Sequence, residues 1–279
     1  MLSIPHRRFL NLLRGKPKPL RTLIGVDKQL QIDQYRGKID SFLQNVDLFE
    51  EYLEPQMPMQ DLWKNREPIK GKCTPEGTLR YANAASEKHD IPKANFRKPI
   101  LEDPGKILHL STVGLGTYLG LPEDAHDFDV YNAAKELLLS GGLNVLDTAI
   151  NYRCQKAERA IGAALWTAIN KYGVNRDEIF ICSKNGYIPD DADHGKSKDM
   201  LIAELIEDGI ITKEDVAAEI HCMHPKFLEH QLAASQKNIG VETIDLMYLH
   251  NAYESQSHVL PDLDSFYDRL AKAFEFYET

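Results

Sequence analysis

Four side chains that can handle protons follow three segments with the pattern of buried strands. Asp147 and Tyr152 come after the apolar run LNVL, Lys184 comes after FICS, and His250 comes after DLMYL. If these strands are parallel neighbours, their carboxyl ends meet at one face of the sheet and bring the four groups together. An acid, a phenol, an amine and an imidazole in one place predict a site for proton transfer.

This set of groups suits the protonation of a carbonyl oxygen. A phenol is a weak acid at neutral pH, and a neighbouring ammonium favours loss of its proton. We therefore expect Asp147 to hold Lys184 charged and Lys184 to activate Tyr152. Tyr152 would donate its proton as hydride reaches the carbonyl carbon, and His250 would hold the oxygen or share the proton. Taken singly, residues of these types more often serve as caps, loop residues or packing groups.

The elements that must position these groups alternate regularly from about residue 98. A hairpin is predicted between residues 97 and 110 around a Pro-Gly turn, and a first strand with a glycine-rich turn is predicted over residues 111–120. The further predicted strands cover residues 143–147, 178–183 and 243–249, and the predicted helices cover residues 127–140, 157–172, 225–239 and 263–277. Four β/α units in succession indicate an α/β fold with a parallel sheet and helices outside it.

The connection over residues 184–224 is unusually long, with short helices predicted near residues 200–207 and from Thr212. Its acidic run, Asp190-Asp191-Ala192-Asp193, is expected to form a solvated turn.

Three residues near the end of this connection, and one cysteine near Tyr152, could bind metal or react with oxidants. No second cluster of matching spacing accompanies the group His221, Cys222 and His224, so we predict no metal and assign these residues to a pocket lid or to packing. Cys154 is interpreted as a packing residue, with a redox-sensitive thiol as the alternative.

The N-terminal part differs from the rest in composition. Residues 1–26 contain six Lys and Arg residues before the first acid, Asp27, which is typical of an organellar presequence or of a solvated basic tail. The first alternative predicts a mitochondrial or other organellar protein, and the second a cytoplasmic one. Residues 27–97 are predicted to be an extension with one amphipathic helix, within residues 37–55, and a tether, and residues 98–279 to be the main domain.

Composition and charge exclude several classes of protein. The chain has 279 residues, of which 43% are hydrophobic and 27% charged, as in globular proteins with a sizeable core. A net charge of -9 argues against general nucleic-acid binding, and no segment is apolar enough to span a membrane. The four cysteines lack a CxxC pair, which indicates reduced thiols.

Four short motifs together resemble the aldo-keto reductases. They are GLGTY at 114–118, LDTAINY at 146–152, SKNG at 183–186 and YLHN at 248–251. The resemblance implies a (β/α)8 TIM barrel that reduces aldehydes and ketones with NADPH. It also implies a catalytic tetrad of Asp147, Tyr152, Lys184 and His250, cofactor contacts from Gly116, Thr117 and Asp147, and Tyr118 on the pocket wall.

Longer motifs are similar to an uncharacterised subgroup of that family. These are GTLRYANAA at 77–85, DTAINYRCQKAERAIG at 147–162, HCMHPKFLEHQL at 221–232 and IDLMYLHN at 244–251. The resemblance covers residues 74–279, and only the first four of the family's β/α units are matched.

Units five to eight of the family supply most of the nicotinamide and 2'-phosphate contacts. Three interpretations remain open: a truncated gene product, a half barrel completed by a partner chain, or a degenerate protein with a structural role. The corresponding functions are an NADP(H)-dependent carbonyl reductase, with a small carbonyl substrate, and a non-catalytic structural or assembly subunit.

Overall fold

The computed structural model describes residues 66–97 and 107–278, which all belong to one compact unit, Met57–Thr279. The predicted basic tail, the amphipathic helix within residues 37–55 and the Pro-Gly turn of the hairpin lie outside the described residues.

A parallel sheet of four strands forms the centre of the described structure. In spatial order the strands are β3 (Leu115–Gly116), β4 (Val145–Asp147), β5 (Phe180–Asn185) and β8 (Leu246–Leu249). Gly116 pairs with Asp147, Asp147 with Cys182, and Lys184 with Tyr248, so the carboxyl ends of the strands lie side by side. The predicted α/β fold with a parallel sheet is confirmed.

Helices follow the strands and cover one face of the sheet. The described α-helices are α1 (Pro75–His89), α2 (Asp124–Leu139), α3 (Lys156–Tyr172), α4 (Lys198–Glu207), α5 (Pro225–Ile239), α6 (Ala252–Gln256) and α7 (Leu263–Glu278). Gly173 and Gly240 end α3 and α5 with φ of 75° and 71°, as their places in the sequence predict.

The main hydrophobic core lies between the sheet and helices α2, α3 and α5. Leu146 and Ile181, from the two central strands, pack with Ile161 and Leu165 of α3 and with Ile239 at the end of α5, and all five are fully buried. Gly162 lets α3 and α5 approach closely, because a Cβ at this position would lie 2.6 Å from the carbonyl oxygen of Ile239.

The described ends of the predicted hairpin are paired. Strand β1 (Phe96–Arg97) is antiparallel to β2 (Leu110–Ser111), and Phe96 pairs with Ser111.

Helix α1 was not predicted, although its start carries a recognisable signal. The Thr74 side chain accepts a hydrogen bond from the Gly77 backbone, and Pro75 occupies the first turn. The Tyr81 hydroxyl of α1 lies 2.9 Å from the Leu138 carbonyl oxygen and 2.6 Å from that of Leu143, so α1 packs against the end of α2 and the residues that follow it.

The long connection contains α4 as predicted, but the second predicted helix is only one turn. Thr212 caps a 3-10 turn at Lys213–Asp215, and the chain then forms the short antiparallel pair β6 (Val216–Ala217) and β7 (His221–Cys222). Within residues 66–97 and 107–278, none of the helices combines the length and apolar character needed to cross a membrane.

Candidate active site

The carboxyl ends of β4 and β5 place an acid beside an amine. Lys184 Nζ donates one hydrogen bond to Asp147 Oδ1 and another, of 2.8 Å, to the carbonyl oxygen of Thr148. The Lys184 side chain is 15% exposed and that of Asp147 37%, so the pair faces an opening. Two fixed acceptors hold the ammonium at one position.

Tyr152 lies over this ammonium. Lys184 Nζ is 4.6 Å from the centroid of the Tyr152 ring. The ring also makes edge contacts with Tyr118 and His250, at centroid distances of 5.1 and 5.6 Å. The four residues predicted to act together, Asp147, Tyr152, Lys184 and His250, therefore meet at one place.

His250 follows β8 and completes the group. Its backbone N–H donates to the Asn185 carbonyl oxygen over 2.8 Å, which continues the pairing of β5 with β8. Burial, followed by the charge of Lys184, lowers the pKa of His250. A neutral imidazole is thereby favoured near neutral pH, and such a ring can donate one hydrogen bond and accept another.

The glycine-rich end of β3 lies beside Asp147. Gly116 is exposed, and nothing lies within 4 Å of the place where a Cβ would stand. Thr117 is 1% exposed, and its hydroxyl is bonded to the hydroxyl of Thr148 and to the carbonyl oxygen of Asp147. Thr117 thus ties the ends of β3 and β4 together.

All four predicted groups line one cleft of about 660 Å³. The lining residues are Tyr118, Asp147, Asn151, Tyr152, Lys184, Tyr187, Tyr248, Leu249, His250 and Asn251. Neither Gly116 nor Thr117 is among them. Sequence reasoning missed Tyr187 and Tyr248, although Tyr248 lies on β8 two residues before His250, and residues two apart in an extended chain point to the same side.

A strained turn directly follows Tyr152. Arg153, Cys154 and Gln155 have φ of 46°, 55° and 71°, and each non-glycine residue in this region carries a conformational cost. Arg153 Nη1 lies 2.8 Å from Asp127 Oδ1 of α2, with both side chains 1% exposed. The Cys154 carbonyl oxygen accepts a hydrogen bond from the backbone of Ala192. These contacts hold the turn from two sides.

Two acids of the run that was expected to form a solvated turn are paired with cations of α3, whereas Asp190 and Ala192 of the same run are exposed. The Asp191 and Asp193 side chains are 13% and 6% exposed, and both bind Arg159 of α3. Burial opposes ionisation of Asp191, but the hydrogen bonds and charge of Arg159 outweigh it and lower the pKa of Asp191 to about 2. Lys156 also binds Asp193, at 2.7 Å. The solvated-turn prediction was wrong for Asp191 and Asp193 because these cations, more than 30 residues earlier, come near only in the fold.

Two other groups were singled out from the sequence, the residues around His221 and the thiol of Cys154. His221 Nε2 lies 2.8 Å from the His250 carbonyl oxygen and Nδ1 lies 2.9 Å from Gln256 Nε2, so both ring nitrogens are engaged. Across the described ranges, no group of three or more His, Cys, Asp or Glu side chains is arranged to hold a metal ion. Burial, followed by the charges of Asp190 and Asp191, raises the pKa of Cys154 and disfavours its thiolate.

A parallel sheet with proton-handling groups at its carboxyl edge defines the class of this protein, and comparison with known families agrees. The model of the aldo/keto reductase family matches residues 112–277, and the chain belongs to that family. The match includes the strands and turns that carry Asp147, Tyr152, Lys184 and His250.

The chain is also similar to a solved structure, that of aldo-keto reductase AKR11C1 from Bacillus halodurans in its holo form. The two are 22% identical, the TM-score is 0.39, and the alignment covers 64% of this chain. The same alignment covers 45% of the Bacillus chain, so this protein spans less than half the length of that relative. None of the curated proteins compared matches this chain.

Proposed function

We propose that this protein is an NADP(H)-dependent oxidoreductase that reduces a small aldehyde or ketone, with Tyr152 as the general acid. The observation that carries the proposal is the placement of Lys184 Nζ, bound to Asp147 and 4.6 Å from the Tyr152 ring centroid. An ammonium beside a phenol stabilises the phenolate left after proton donation. The family membership of the chain supports the same reaction class.

In this proposal a bound nicotinamide supplies hydride to the carbonyl carbon. Tyr152 transfers its phenolic proton to the carbonyl oxygen, and solvent in the open cleft returns a proton to the phenolate. Lys184 stabilises that phenolate, and Asp147 and the Thr148 carbonyl keep the ammonium in place. His250, whose ring contacts Tyr152 edge-on, holds the carbonyl oxygen in position.

The residues around the cleft are compatible with a nicotinamide ring. A cleft of about 660 Å³ is in the usual range for small-molecule sites. Gly116 does not line this cleft, but it is exposed at the end of β3 beside Asp147, and the open space where a Cβ would stand leaves room for a flat ring. We propose that Asp147 and Thr117 also contribute to cofactor binding. Thr117 acts indirectly, because its buried hydroxyl holds the end of β4 in place.

We further propose that β3, β4, β5 and β8 are the first four strands of a TIM-barrel-like arrangement. Their spatial order follows their order in the chain, and neighbouring strands are joined through helices α2, α3 and α5. Both features are expected of consecutive barrel strands.

Cofactor binding is the direct test of the proposal. The chain is titrated with NADPH in a calorimeter, with NADH as the comparison. We expect saturable binding that is tighter for NADPH. A folded chain with no saturable binding of either nucleotide would contradict the enzyme proposal and favour a non-catalytic role.

The role of Tyr152 is tested by Tyr152→Phe, which removes only the hydroxyl. We expect kcat for an aldehyde to fall by about 10² to 10⁴, the usual contribution of a general acid, while the Kd for NADPH stays unchanged. Tyr172→Phe on the exposed end of α3 is the matched control and should leave kcat unchanged. Undiminished turnover in Tyr152→Phe would refute the assignment.

A further inference from the structure

A fully buried histidine lies behind the cleft without lining it. His221 of β7 is 0% exposed, is not among the residues that line the cleft, and contacts the backbone of His250. Its Nε2 atom is 2.8 Å from the carbonyl oxygen of His250, and its Nδ1 atom is 2.9 Å from Gln256 Nε2. The reaction proposed above uses neither atom.

These partners select one form of the His221 ring. A carbonyl oxygen only accepts hydrogen bonds, so Nε2 must carry the hydrogen. Gln256 Oε1 lies 3.3 Å from Arg269 Nη1 and accepts from it, which turns the Gln256 amide N–H towards Nδ1. His221 is therefore the neutral Nε2–H tautomer, with a donor to His250 on one side and an acceptor for Gln256 on the other.

A second contact joins His221 to the ring of His250. The Tyr187 ring lies between the two imidazoles, at centroid distances of 5.2 Å from His221 and 4.9 Å from His250. Ser255 Oγ donates to the Tyr187 hydroxyl over 3.1 Å and fixes this ring in turn. His221 thus contacts the backbone of His250 directly, through a hydrogen bond. It contacts the side chain of His250 indirectly, through the Tyr187 ring.

We propose that His221 is a positioning residue for His250, fixing the His250 backbone by the Nε2–H hydrogen bond and the His250 ring through Tyr187. The inference deepens the proposed function and rests on it where the role of His250 in turnover is concerned. The position of the His250 ring is a separate property that can be measured without turnover.

Two substitutions separate the hydrogen bond from the packing. His221→Gln places an amide N–H at the reach of Nε2, whereas His221→Phe fills the ring volume and cannot donate. With 15N-labelled histidine in the full chain, we expect the His250 ring signals to move in His221→Phe and to stay near their wild-type place in His221→Gln. The His250→Asn spectrum assigns these signals among the ten histidines.

Turnover provides the second measurement. We expect His221→Phe to lower kcat about tenfold or more, with unchanged NADPH affinity, because small displacements of a reacting group have effects of this size. His221→Gln should recover most of that loss. If the wild-type chain shows no turnover, the proposed function fails and the ring signals alone decide whether His221 positions His250.

Gln256→Met provides a variant that leaves His221 in place. The thioether cannot donate to Nδ1, whereas the His250 carbonyl oxygen still keeps the hydrogen on Nε2, so we expect the Nδ1 15N shift of His221 to change within the Nε2–H tautomer and the His250 signals to move in the same direction as in His221→Phe. This variant decides the question if His221→Phe does not fold. An Nδ1–H tautomer in the wild-type chain, or His250 signals unchanged by all three substitutions, would overturn the inference.

Discussion

At the scale of single residues, the structure distinguishes side chains that line the cleft from neighbouring side chains that point into the protein, a difference that the sequence does not show. Asp147, Lys184, Tyr152 and His250 meet around one cleft, as their places after successive strands predict. Thr117 belongs to the same motif as Tyr118 but turns its hydroxyl inwards to Thr148. Sequence spacing could place all of these residues at one edge of a sheet, but the direction of a loop side chain depends on partners from other segments.

The burial of His221 has a measurable effect on stability. Burial lowers the pKa of His221 to about 4, against about 6.5 in the unfolded chain. Between pH 6.5 and pH 4 the unfolded chain binds the extra proton, so the free energy of unfolding falls as the pH falls through this window, by about 3 kcal/mol in total. We expect His221→Gln to show a smaller loss between pH 7 and pH 4.5 in urea unfolding. Parallel pH profiles of the two chains would contradict this.

At the scale of elements, the long connection after β5 is fastened to the turn after Tyr152. Asp191 and Asp193 bind Arg159, and Ala192 donates to the Cys154 carbonyl oxygen. Three consecutive non-glycine residues in the left-handed conformation persist only when contacts with other segments stabilise them. The connection therefore supports the loop that presents Tyr152 and does more than border the cleft.

Asp191→Asn tests this attachment. We expect a loss of about 2 to 3 kcal/mol in the free energy of unfolding at pH 7, because the pKa of Asp191 lies at about 2 in the fold against about 3.9 in an unfolded chain. That stabilisation is present above pH 4 and disappears as the pH falls towards 2, so the two chains should converge there. Urea unfolding at several pH values measures the difference.

The control for this prediction is Asp199→Asn, the same change on a side chain that is 79% exposed in the same connection. It should alter the free energy of unfolding by less than about 0.5 kcal/mol. Equal effects of the two substitutions would mean that the acidic run is solvated after all.

At the scale of the whole molecule, helix α1 contacts segments that lie far along the chain. Helix α1 inserts the Tyr81 hydroxyl between the carbonyl oxygens of Leu138 and Leu143, and Arg80 binds Asp177 and Glu178. The sequence predicts the alternating β/α units because each unit has its own hydrophobic periodicity and its own residues that end the helix. It did not reveal which of them an upstream helix would contact, since that contact lies more than 50 residues away.

Tyr81→Phe tests whether α1 unfolds together with the sheet. Loss of a buried hydroxyl that satisfies two carbonyl oxygens should lower the free energy of unfolding by about 1 to 3 kcal/mol. We expect a single transition at a lower urea midpoint, recorded by circular dichroism and by tryptophan fluorescence. Tyr172→Phe, on a side chain that is 54% exposed, is the control. Two separate transitions would show that α1 is an independent element.

Gly186 connects two motifs that stand far apart in the chain. It has φ of 119°, and a Cβ at this position would lie 2.5 Å from Nε2 of His221. A side chain at the last position of the SKNG motif would therefore clash with His221, and the φ of Gly186 would strain it even if residue 221 were smaller. Gly186 is therefore required at this position for two separate reasons, its backbone conformation and the space that His221 occupies, and a smaller residue 221 would relieve only the second.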